Sequence, residues 1–257
     1  MKLKQKIRDF SLSASALRVF GLLFLTVGLA GNVIQRSLGV GVVDNSQLWQ
    51  TLQDSSSAMS LATMAVVFQA MEACAVPIFV FLLAEGALHT SSFKNYLLRV
   101  LLLAVVCELP YNLAVNGQLL ASVSLNPVFA MATCLVMFYF FKRFPEKKAS
   151  HVAIKAMAII GAFLWSNILH ISDGACCVFL AAVLWGLRDK QNLRFLFGIL
   201  TMVVCGIFSP FYLAGALGFM PVYFYEDELK AKCNRLMNYL CYPILLLIFG
   251  LASALLG

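Results

Sequence analysis

The sequence predicts an all-α fold, a polytopic bundle of membrane-spanning helices, and three observations carry that prediction. Hydrophobic residues make up 61% of the 257 positions and charged residues only 12%, about half the ~25% usual in soluble domains, so polar surface is too scarce for a fold in water. The apolar residues are gathered into long runs, with charges confined to the short connections between them. The 19 Lys and Arg are also sorted by loop: alternating the connections from a cytoplasmic N-terminus places all of them except Arg36 on the cytoplasmic side, as the positive-inside tendency requires.

Taken in order, the runs are residues 17–34, 66–88, 96–115, 120–141, 152–171, 174–187, 193–208, 211–225 and 236–256. The basic Met1 to Arg8 segment ahead of the first run resembles the start of a signal peptide, and is read as leading into an uncleaved first span. The sixth, seventh and eighth runs fall short of the ~20 residues that cross ~30 Å of hydrocarbon, so they borrow flanks, sit inside the bundle or are broken helices. The count is therefore eight or nine spans in a single integral membrane domain, 1–257, with a C-terminus outside when there are nine. The polar stretch 45–57 is expected as an external loop, with a short interfacial helix around 48–52.

A net charge of +7 would raise the question of nucleic acid in a soluble domain. Here it records topology, and the expected partner is the bilayer. The eight cysteines form no CxxC pair and no Cys/His cluster at metal spacing, so they are read as reduced, buried thiols and no metal is expected.

Ionisable groups inside apolar spans are expensive, which makes each one a functional candidate. Glu85 and His89 stand one helical turn apart near the cytoplasmic end of the second run, and Arg99 begins the third from the same side. Toward the other side lie Glu72, Glu108 with Asn112, Asn126, and the His170/Asp173 pair. Each also has a structural reading. Glu85, His89 and Arg99 would pin one helical hairpin, Glu108 would satisfy backbone donors at a helix end near Pro110, and Asn126 would simply start the fourth span before Pro127. His170 and Asp173 would be loop residues, and Glu72 has no evident partner in the sequence.

The stretch from Pro77 to Phe129 resembles the central signature of the TraX family, membrane proteins of pilin acetylation and their bacterial relatives. Pro77 and Phe79 lead into Ala84-Glu85-Gly86 and His89-Thr90. Tyr96 and Arg99 begin the next helix, followed by Pro110 with Asn112, then Asn126 and Phe129. Asp173-Gly174 and the Tyr239, Tyr242, Pro243 element resemble later parts of the family pattern. The resemblance implies a multi-pass protein of the bacterial plasma membrane that moves an acetyl group from acetyl-CoA to an amine or hydroxyl of an envelope protein, such as pilin, or a glycan. It departs from the family at Gly28-Leu29, where Asp-His is usual, near Ala73, where an Arg is usual, and at Leu245, where a His follows Tyr-Pro.

On that resemblance, His89 or Glu85 serves as the catalytic base. Arg99 holds a phosphate of the donor, while Glu108, Asn112, Asn126 and Asp173 shape the acceptor end. The departures leave two further readings open, a non-catalytic accessory protein on the same fold and a small-molecule transporter with broken helices. Three geometric expectations follow. Lys147 and Arg194 lie at one membrane face and Arg36 and Asp173 at the other, the cysteines form no disulfide, and Glu85, His89 and Arg99 form one connected polar cluster.

Overall fold

The structure, a computed structural model of the chain, describes residues 11–39, 53, 55–120, 123–146, 148–226 and 235–256. Regular structure among these residues is helical, with two isolated β-bridges. The helices are α1 (Ala14–Ser37), α2 (Ser56–Glu72), α3 (Ala75–His89), α4 (Phe93–Asn116), α5 (Pro127–Arg143), α6 (Ala149–Ile168), α7 (Gly174–Gly186), α8 (Gln191–Cys205), α9 (Phe211–Gly215), α10 (Phe219–Tyr223) and α11 (Arg235–Leu256). A 3-10 turn, Ala216–Gly218, joins α9 to α10. Four helical stretches are long and apolar enough to cross a membrane: α1, the α2–α3 pair taken as 34 residues, α4 and α6.

The short helices α3 and α7 supply the centre. α7 buries Cys176, Cys177, Val178, Leu180, Ala181, Leu184 and Trp185 in 13 residues, only about 20 Å of helix at 1.5 Å per residue. Its brevity is tolerable because neighbouring helices, rather than lipid, cover it: α3, α5, α6 and α8 all pack against α7. α6 is the opposite case, burying only Ala162 and Ser166 while Met157, Ile160, Leu164 and Ile168 face outward. An outward band of large apolar side chains on a helix of that length is suited to lipid.

The described helices follow the predicted runs in order, with three corrections to their limits. The second run starts ten residues earlier, at Ser56, where the Ser55 hydroxyl caps the helix by accepting from the Ala58 N–H. It is also interrupted at 73–74. Pro77 has no N–H to donate to the Ala73 carbonyl four residues back, so one rung of the ladder is missing at that point. The fourth run does not begin at 120: α5 starts at Pro127, with Asn126 as its cap. The eighth is a broken helix, as its shortness allowed, made of α9, the 3-10 turn and α10. Most of the expected external loop, its 48–52 helix, Lys147 and Cys233 fall outside the described side chains.

The two breaks cross each other. Cys74 donates its thiol to the Ala214 carbonyl at 3.3 Å, and Gly218 lies so close to the Cys74 carbonyl that a Cβ there would collide with backbone. The seven described cysteines are free.

Candidate functional site

Polar groups gather at two ends of the bundle, and the Glu85 end holds a cavity. Glu85 and His89 close the last turn of α3, as their spacing predicts. His89 Nδ1 lies 2.9 Å from the Glu85 carbonyl oxygen and 3.9 Å from its carboxylate Oε2. A carbonyl only accepts, so Nδ1 carries the hydrogen and, in the neutral ring, Nε2 carries the lone pair. The His89 side chain is 61% exposed, against 13% for Glu85, so the imidazole is presented outward while the carboxylate is held in the wall.

What holds Glu85 is a residue that sequence reasoning treated only as a topological charge. Arg194, in the first turn of α8, places Nη1 2.6 Å from Glu85 Oε1 and lays its guanidinium over the Phe81 ring at 4.6 Å. The pair joins α3 to α8 across 109 residues of sequence. Arg194 is only 9% exposed, and its Nε and Nη2 are buried without a hydrogen-bond partner among the described residues. Unmet buried donors cost ~1–3 kcal/mol each, more on a charged group. Beside them is a cavity of about 330 Å³, at the small end of the ~300–1,000 Å³ typical of ligand sites. Phe81, Phe195 and Phe219 form apolar wall, while Glu85, Arg188, Gln191, Arg194 and Glu226 supply polar groups. The chain near Glu226 is fixed by a bridge to the N-terminal segment, with Leu12 N donating to Phe224 O at 2.7 Å and Glu226 N to Leu12 O at 3.1 Å.

Arg99 does not join this cluster. The buried stripe of α4 runs through Val100, Ala104, Cys107 and Tyr111, which leaves Arg99 on the exposed flank, and among the described residues no ion pair links it to Glu85. The cluster the structure forms is Glu85, His89 and Arg194, with Arg194 in the place expected for Arg99. A signal was present, since Arg194 lies inside the apolar run 193–208, where a cation is a functional candidate by the same rule that singled out Glu85.

At the other end, Glu108, Asn112 and Asn126 do meet. Asn126 Nδ2 donates to Glu108 Oε2 at 2.6 Å and to the Ala104 carbonyl at 2.8 Å, its backbone N–H reaches Glu108 Oε2 at 3.2 Å, and its Oδ1 accepts from Val128 N at 3.0 Å. Asn112 Nδ2 reaches Glu108 Oε1 at 3.2 Å. Glu108 thus satisfies donors, as its structural reading holds, but from inside α4, because Pro110 does not end the helix. Asp173 belongs to a neighbouring group: Tyr212 donates its hydroxyl to Asp173 Oδ1 at 2.5 Å, and Tyr111 shares a 2.6 Å hydroxyl bond with Ser172. Burial pushes the Asp173 carboxyl up from its ordinary range, and the Tyr212 hydroxyl bond acts in the opposite sense. His170 and Asp173 adopt left-handed backbone, φ 49° and 57°, in the tight turn whose Leu125 bridge ties the two groups together. Glu72 packs directly against Gly28 and lies within electrostatic reach of Asp173.

Arg36 packs on Gly117, just beyond α4, whereas Arg194 sits with Glu85 beside the start of α4, so the two basic residues occupy opposite ends of that helix. No group of His, Cys, Asp and Glu among the described residues is arranged to hold a metal ion.

A family model described as TraX protein matches residues 42–253. The chain belongs to the TraX family. No curated protein and no solved structure gives a match. Within the TraX signature, Gly86 faces the Tyr96 hydroxyl, and Pro77 marks the break between α2 and α3. Two of the three departures from the TraX pattern, at 28–29 and at 245, meet in space, while Ala73 packs in the larger core cluster. Leu29 and Leu245 lie in one small apolar cluster with Cys107, Tyr111 and Tyr242, and the space beside Gly28 is taken by the Glu72 side chain. A carboxylate thus stands at this point of the bundle, but it comes from α2 instead of α1.

Proposed function

We propose that this TraX-family protein is a membrane acyltransferase that moves an acetyl group from acetyl-CoA to an amine or hydroxyl of an envelope acceptor, a pilin-like protein or a glycan. The observation that carries the reading is the cavity of about 330 Å³ against a buried Glu85–Arg194 pair with unmet donors, at the end of α3 that presents His89. His89 Nε2 takes the proton of the acceptor as its nitrogen or oxygen attacks the thioester carbonyl. The new C–N or C–O bond forms, the C–S bond breaks, and the proton passes to the departing thiolate. Glu85 positions the ring through its carbonyl and is itself fixed by Arg194, so its role in this scheme is orientation, not proton abstraction. Glu108, Asn112, Asn126 and Asp173 lie at the opposite end of the bundle and take no part in this proton transfer.

In this reading the chain crosses the bacterial inner membrane nine times with a cytoplasmic N-terminus, and the Glu85 end faces the cytoplasmic pool of donor. Turnover of acetyl-CoA by the purified protein tests it. Activity that falls by ~10²–10⁴-fold in His89→Ala at unchanged thermal stability supports the scheme, and an unaffected variant removes His89 from it.

One observation favours a second reading, a non-catalytic accessory protein on the TraX fold. Positions 29 and 245, where the family usually carries His, are both Leu and share one apolar cluster. That reading expects no turnover in the intact protein, and expects His89→Ala to behave like wild type in every assay.

A further inference from the structure

We propose that the Nε–Nη2 edge of Arg194 is a binding fork for a phosphate group, which rests on the acyl-donor reading only for where the phosphate comes from. A guanidinium has three edges. Glu85 occupies the one bearing Nη1, while Nε–H and one N–H of Nη2 point the same way along another edge, parallel and spaced for two oxygens of a single oxyanion. Among the described residues those two donors have no partner.

The guanidinium cannot turn away to satisfy them, because Glu85 holds Nη1 at 2.6 Å and the Phe81 ring covers a face at 4.6 Å. Such a group is preorganised for an incoming acceptor beside the cavity that Arg194 lines, and because Nε and Nη2 are themselves buried, an acceptor must displace the packing over that edge to reach them. The cavity sets Arg188 and Arg194 against Glu85 and Glu226, so its formal charges balance before a ligand enters. Arg188 lines the same cavity, and the 15-residue α8 begins there at Gln191, bringing the positive end of its dipole to the site. With Glu85 already neutralising one cationic unit, a phosphate shared between Arg194 and Arg188 completes the hydrogen bonding of the fork.

The test uses the full chain in detergent and measures affinity for inorganic pyrophosphate, for coenzyme A, and for phosphatidic acid in vesicles, with wild type and Arg194→Lys. Lysine keeps the charge toward Glu85 but lacks the fork, so pyrophosphate affinity should drop at least about tenfold. A parallel drop for coenzyme A identifies the donor as the source of the phosphate. If pyrophosphate and phosphatidic acid both weaken while coenzyme A does not, the fork stands as a lipid headgroup site and the acyl-donor reading loses its support. Should Arg194→Lys fail to fold, Gln191→Glu places a negative charge at the exposed mouth without touching Arg194, and the same weakening is expected. Pyrophosphate affinity that is unchanged in a folded Arg194→Lys or in Gln191→Glu, or no pyrophosphate binding by wild type at millimolar concentration, overturns the proposal.

Discussion

At the scale of single residues, the Glu85–Arg194 pair and the Glu72–Gly28 contact are where chemistry and stability meet. Breaking a buried pair strands the remaining charge, so Glu85→Leu or Arg194→Leu alone should cost ~3–5 kcal/mol. The Glu85→Leu/Arg194→Leu double variant should lose less than either single one; denaturant unfolding in detergent measures all three. Gly28→Ala drives a Cβ into the Glu72 carboxylate, and overpacking of this kind costs ~1–3 kcal/mol. Glu72→Ala should relieve most of that penalty in the double variant, because the obstruction is a side chain and not backbone. Glu85 with His89 was legible in sequence because four residues on a helix is a fixed distance. Arg194 was not assigned to them, since nothing local relates residues 109 apart and a cation near a helix start is also what topology alone demands. Glu72 stood without a partner in sequence because Gly28, Asp173 and Glu72 meet only through the packing of α1 and α2 and the 170–173 turn.

Among the elements, the order of helices could be read from hydropathy, but their ends depended on turn chemistry and their breaks on long-range packing. The dipeptide Asn126-Pro127 carries a start signal that outweighs the apolar residues just before it, which is why α5 begins at 127 and not at 120. The crossing of the 73–74 break with the Ala216–Gly218 turn had no local signal beyond Pro77 and the shortness of the eighth run. Asn126 also makes a sharp test of how α4 and α5 are joined. Asn126→Ala loses a cap worth ~0.5–2 kcal/mol and leaves Glu108 short of one donor, the side-chain amide, while the backbone N–H is retained. Asn126→Asp retains the cap acceptor but sets a second carboxylate against Glu108 Oε2, now 2.6 Å from the amide nitrogen. Both should lower the melting temperature in detergent at neutral pH, and acidification should restore Asn126→Asp selectively as one carboxyl takes a proton.

For the whole molecule, the proposed membrane orientation puts the donor site at the Glu85 end, on the cytoplasmic side. Epitopes inserted at 91 and 189 should be protected in spheroplasts and reached only after permeabilisation, while one at 118, beside the Arg36 end, should be accessible in spheroplasts without it. The reverse pattern, or all three on one side, contradicts the nine-span arrangement. Composition and the sorting of Lys and Arg made the membrane bundle legible before any coordinate, but the cavity was not, because it is formed by α3, α7, α8 and α10 together, and no single stretch of sequence encodes it. The measurement that tests the central claim most directly is acetyl-CoA turnover by the purified protein, with a primary-amine acceptor, compared between wild type and His89→Ala at matched melting temperature. The account predicts coenzyme A release and acetylated acceptor from wild type, with a loss of about 10²-fold or more in the variant. Equal rates for the two proteins, or no release from a folded wild type that carries its acceptor, would contradict it.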